Sequence, residues 1–100
     1  MKTFEVCIVG TGRAGQARMR IAKNHQRIHH IESLSVRELG VKGIQRHLES
    51  SDAEIVIICT ENSLHAPLVD LALQLEKHVL VEFPLVNSVT EAERLWALGL

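Results

Sequence analysis

No stretch of this 100-residue chain is apolar for long enough to cross a membrane. Its most continuous run, IVIIC at 55–59, falls far short of the roughly 20 residues that a spanning helix needs. Residues 1–12 lack the basic start, long apolar segment and small-residue cleavage site of a secretory leader. Cysteine is scarce. Cys7 and Cys59 both lie inside apolar runs, which reads as two buried reduced thiols in a cytoplasmic protein and argues against a disulfide framework. An excess of charge is missing as well: 11 basic against 12 acidic residues leave a net −1, so nothing electrostatic points to a nucleic-acid partner. No repeat at the 20–50-residue scale and no low-complexity linker interrupts the sequence. His25 and His29 stand four apart, with His30 adjoining, but no H-E-x-x-H pattern accompanies them. They read as solvated surface, and no metal is expected.

What is present is ordinary globular composition, 46% hydrophobic and 23% charged, in a length that suits one domain. Residues 4–9 (FEVCIV) form a β-rich run ending at Gly10, and 13–24 carry Ala14, Ala17, Ile21 and Ala22 at helical spacing. A weaker strand is expected at 31–36, then a short helix with loops between Arg37 and Asp52. A doubly covered strand follows at 55–59. Residues 65–75 read as a helix with Pro67 in its first turn, and 78–82 as a fourth strand. Ser88 and Glu91 form a capping-box pattern for a last helix, on which Trp96 is expected to pack against the sheet. Strand and helix alternate throughout. The expected fold is therefore α/β, a Rossmann-like doubly wound parallel sheet of about four strands with an incomplete second half.

The stretch VCIVGTGRAG (6–15) carries the clearest chemistry. Gly10, Gly12 and Gly15 fit G-x-G-x-x-G directly after a strand and before a helix. The glycines suit a tight turn, close approach of backbone to a pyrophosphate, and close helix–strand packing. Thr11, Arg13 and Ala14 complete the loop and the helix start, whose free N–H groups favour an anion. Arg13 is either a phosphate partner or a solvated helix-start residue. At the end of the second strand, SVRE offers Ser35 and Arg37 to a ribose 2′-phosphate, favouring NADPH. The competing reading has Glu38 or Glu32 holding a 2′-hydroxyl, so NADH remains possible.

Two further stretches, CTENSLHAPLVDLAL (59–73) and KHVLVEFPLV (77–86), are similar to the Gfo/Idh/MocA oxidoreductases. There the first reads roughly C-T-P-N-x-x-H and the second K-H-V-x-x-E-K-P. The resemblance implies that Thr60, Glu61, Asn62 and His65 lie beside the cofactor's ribose and nicotinamide, with Cys59 at the same sheet edge. It also implies that Glu82 and Phe83 lie near the nicotinamide, with Glu82 the candidate catalytic residue that orients nicotinamide or substrate. The family's acid/base lysine is Phe83 here, and a phenyl ring moves no proton. The biliverdin reductases also lack that lysine and carry E-Y-P. The chain resembles them further in GRAG (12–15), ARMR (17–20), VRELG (36–40) and ERLW (93–96). The resemblance implies an NADPH-dependent reductase domain over residues 1–100. Its substrate would be a small molecule, a linear tetrapyrrole, with the sheet-rich substrate domain absent. A dinucleotide-binding module without catalysis is the alternative, and a sugar-type dehydrogenase a second. Between strands two and three the sequence is shorter than those relatives, as though a short strand were missing after Gly40.

Overall fold

The computed structural model describes residues 2–81 and 89–98. The hydrophobic run Phe4–Val9 forms β1, whose last four residues are buried. Helix α1 spans Arg13–Lys23, β2 Ile28–Leu34, α2 Val36–Ser50, β3 Ile55–Ile58, α3 His65–Gln74, β4 His78–Val81 and α4 Val89–Ala97. A single 3₁₀ turn, Asn62–Leu64, leads into α3. The four strands are all parallel in the order β2-β1-β3-β4. Right-handed crossovers put α1 on one face and α2 and α3 on the other, as a doubly wound sheet requires.

Side chains alternate across each strand, and the two faces are unequal. Cys7, Val9, Leu34, Val56 and Ile58 join Ile44 and Leu48 of α2, Leu68, Val69 and Ala72 of α3 and Leu95 of α4 in one core cluster. A fully buried aliphatic side chain of this kind contributes about 1.5–3 kcal/mol, so this is where most of the stability resides. The opposite face holds Val6 and Ile8 under α1, while Leu80 stays 49% exposed.

The sequence expectations hold for the order and type of the elements and shift in detail. The second strand begins at Ile28 and ends at Leu34, instead of spanning 31–36. Pairing with β1 recruits the earlier residues, and Ser35 is drawn off as the N-cap of α2, accepting the Glu38 N–H. No strand occurs between β2 and β3 among the described residues; α2 alone makes the crossover, broken at Gly40, whose φ of 69° and ψ of 168° are non-helical. On α1 the buried positions are Gly15 and Ala22, whereas Ala14, Ala17 and Ile21 face solvent. The phase is set by Gly15, where a Cβ would lie 2.0 Å from the Gly10 carbonyl oxygen. Trp96 is also on the outer side, 77% exposed, and Leu95 takes the core position. Of the capping box, Ser88 lies outside the described residues. His25 and His29 do not share a helix: α1 ends at Lys23, and His29 falls in β2. All three neighbouring histidines are exposed, and no metal-binding cluster occurs among the described residues. No helix among them is long and apolar enough to cross a membrane.

Both cysteines are thiols; Cys7 is buried and Cys59 partly so. Burial pushes the Cys7 thiol from its ordinary 9.0 up to about 12, with the Glu32 carboxylate reinforcing the effect and Lys77 opposing it. Because the unfolded chain releases this proton near its ordinary value and the folded chain keeps it, stability is intact below that value. It is lost as the pH climbs toward the folded one, by roughly 4 kcal/mol at full extent. Urea denaturation at a series of alkaline pH values should therefore show a steeper fall for the native chain than for Cys7→Ala. Parallel curves would refute the linkage.

Candidate functional site

The carboxyl ends of β1, β2 and β3 border a cleft of about 690 Å³. Its floor is the glycine loop at Gly10, Thr11 and Gly12; one wall is Ser35, Val36, Arg37 and Glu38; the other is Cys59, Thr60, Glu61 and Leu64. This is the crevice outside the strand ends where open α/β sheets bind ligands.

Three glycines perform three different tasks. Gly10 has a φ of +124°, and a Cβ there would lie 2.4 Å from the Cys59 carbonyl oxygen. Gly15 lets α1 settle on the Gly10 backbone. Gly12 differs from both, since a Cβ on it would meet nothing within 4 Å. Its missing side chain leaves space on the cleft side of the loop. Gly12 is also the N-cap of α1, and its C=O accepts the first helical hydrogen bond from Gln16. No side chain caps this helix and no carboxylate stands in its first turn. The orphan N–H groups and the positive end of the helix dipole are thus left for an anion. A diphosphate fits this loop by backbone geometry and by charge.

The structure brings Gly10, Thr11, Gly12, Ser35, Arg37, Cys59, Thr60 and Glu61 together around the cleft. Gly15 acts one layer below it. Arg13, Ala14 and Asn62 are exposed and do not line it. Asn62 opens the 3₁₀ turn, whose last residue, Leu64, does line the cleft. His65 departs most from its expected place. It is buried beneath the wall, with Nε2 3.0 Å from the Thr60 carbonyl oxygen. Glu82 and Phe83 lie outside the described residues. Glu32 is remote from the cleft, tied to His47 Nε2 at 2.9 Å and to the Ser51 hydroxyl at 3.2 Å. Val36 and Leu64 line the cleft without having been singled out from sequence; each is an apolar residue bordering an expected element, a signal too common to mark a site.

The wall beside β2 carries opposed charges. Arg37 and Glu38 are consecutive, both exposed and both at the cleft. Ser35 caps the turn through its Oγ, which accepts the Glu38 N–H at 3.3 Å.

A glycine loop, an uncapped helix start and a cleft at the strand ends define a nucleotide-binding α/β domain of the oxidoreductase type. The chain belongs to the Gfo/Idh/MocA family, the oxidoreductase family with an NAD-binding Rossmann fold, whose pattern matches residues 4–99. It is 38% identical to human biliverdin reductase A over 108 aligned residues, covering 98% of this chain and 36% of the human protein. The mouse biliverdin reductase A is 37% identical over 107 residues. Among solved structures, apo scyllo-inositol dehydrogenase from Lactobacillus casei superposes with a TM-score of 0.79 at 26% identity, over 97% of this chain and 33% of that one. The chain thus spans about a third of the length of these relatives.

The glycines can be separated experimentally. Gly12→Ala should change the unfolding free energy by no more than about 1 kcal/mol, as an N-cap exchange does, while weakening dinucleotide binding at least roughly tenfold by filling the approach to the loop. Gly15→Ala should cost about 1–3 kcal/mol of stability through overpacking. Urea denaturation and a fluorescence titration read the two quantities. A stable Gly15→Ala chain, or undiminished binding by Gly12→Ala, would contradict the assignments.

Proposed function

We propose that this chain is the NADPH-binding domain of a biliverdin reductase-type oxidoreductase acting on a linear tetrapyrrole in the cytoplasm. The observation that carries the reading is the cleft itself. One continuous surface joins an anion-receptive glycine loop to a serine and an arginine at the end of β2. The likeness to the animal biliverdin reductases supplies the substrate class.

In this reading Thr11 and Gly12 approach the diphosphate through backbone N–H groups, assisted by the positive end of α1. Arg37 pairs with the ribose 2′-phosphate. Ser35 accepts a hydrogen bond at Oγ and keeps its hydroxyl proton to donate to the same phosphate. Glu38 beside them disfavours a second negative charge and favours a ribose hydroxyl, which makes Arg37 the residue that decides cofactor choice. Thr60 and Glu61 flank the ribose on the β3 side. Glu82 orients the nicotinamide or the substrate. NADPH, when bound, supplies the hydride. Phe83, where the family signature has lysine, has no proton to give, so the proton comes from water or from a group outside this chain. The same substitution argues against sugar-alcohol oxidation.

A second reading, a dinucleotide-binding module without catalysis, is favoured by Phe83, which stands where the family signature has its acid/base lysine. Mixing the chain with NADPH and biliverdin and following pigment absorbance tests the first reading. Turnover establishes the reductase, and binding of NADPH without turnover shows that the chain alone acts as a binding module. Arg37→Ala should weaken NADPH roughly 10- to 100-fold, the worth of a charge-assisted hydrogen bond, and leave NADH nearly unchanged. Equal losses for both cofactors would remove the 2′-phosphate assignment.

A further inference from the structure

Among the described residues His65 is the one polar side chain buried with the core, at 3% exposure. Burying an imidazole is unfavourable unless its polar atoms are hydrogen-bonded. The Thr60 carbonyl oxygen, 3.0 Å from Nε2, can only accept, so Nε2 carries the proton and donates. His65 is also the first residue of α3, a helix fixed to the sheet through the buried Leu68, Val69 and Ala72. The donor is therefore mounted on a rigid element.

Its acceptor stands on the cleft wall. Cys59, Thr60 and Glu61 line the cleft consecutively, and His65 does not line it. Cys59 donates its N–H to the Val9 carbonyl at 2.8 Å, which is the last bond of the β1–β3 ladder. From Thr60 onward the chain has left the sheet. The Cys59 carbonyl oxygen lies against Gly10, closely enough that a Cβ there would sit 2.4 Å away. Any shift of residues 59–61 thus reaches the floor of the cleft as well as its wall.

We propose that His65 is a positioning residue for cofactor binding. Acting through the Thr60 carbonyl, it clamps the turn at residues 59–61 to α3 and sets the width of the dinucleotide cleft. The proposal rests on the dinucleotide reading of that cleft. It explains why an imidazole occupies a site where an aliphatic side chain would satisfy the packing.

The test compares the native chain with His65→Gln, which can offer an N–H to the same carbonyl, and His65→Phe, which fills the space without a donor. NADPH affinity is read by fluorescence titration, and amide hydrogen exchange is followed on the cofactor-free proteins. His65→Gln should bind within about threefold of the native chain and His65→Phe about tenfold more weakly, the loss of one hydrogen bond. Exchange at residues 60–62 should quicken in His65→Phe while β1 stays protected. Unchanged affinity in His65→Phe overturns the proposal. So does a loss of protection spread through β1 and β3, which makes His65 a prop of the whole fold. A native chain with no affinity for NADPH overturns the reading of the cleft itself, and this proposal with it.

Discussion

The structure depends on one steric constraint: three backbone segments meet at Gly10 with no room for a side chain. The turn after β1 lies against the Cys59 carbonyl on one side and beneath Gly15 of α1 on the other. That contact sets the rotation of α1 about its axis and hence which of its residues are buried. It also fixes the height at which the uncapped helix start faces the cleft. Stability and binding are coupled here through geometry, since the atoms that close the packing also shape the floor of the site.

Much of this was legible in the sequence because it rests on short-range rules. Glycines placed between a strand and a helix, and the continuous apolar run at 55–59, were enough to foresee the parallel sheet and the cleft floor. The misplacements share a physical cause, which is that tertiary contacts decide between residues of similar local preference. Helical spacing alone made Ala14, Ala17 and Ile21 look like an inner stripe, but the Gly15 contact rotates them outward. Leu95 and Trp96 are neighbours with equal claim to the core, and only packing against α3 selects Leu95. That His65 belongs to a motif could be read from the sequence. Its burial and its partner could not be, because the carbonyl it holds depends on how the chain turns after leaving β3.

The wall beside β2 is built on a short lever. Gly40 breaks α2 after its first turn, so the segment with Arg37 and Glu38 is separated from the longer part that packs through Ile44 and Leu48. That longer part is fastened at its far end by the His47–Glu32 pair and the Ser51 hydroxyl. Arg37 and Glu38 therefore stand on a small unit whose orientation is set by Ser35 and Gly40. The core is insulated from changes there. Exchanging Arg37 or Glu38 alters charge at the cleft without disturbing a buried contact.

The two borders of the sheet differ in a way that matters beyond this domain. On the β2 border, Phe4 pairs with Ile28 and Glu5 with His30, so His29 is an extra, bulged residue, and both histidines are exposed. A bulge and polar side chains discourage a further strand from pairing there. The β4 border is HVLV, apolar beyond His78, with Leu80 half exposed. Among the described residues, the β2 edge is thus bulged and polar, whereas the β4 edge carries more apolar side chains. The dinucleotide cleft lies away from the β4 edge, at the carboxyl ends of β1, β2 and β3.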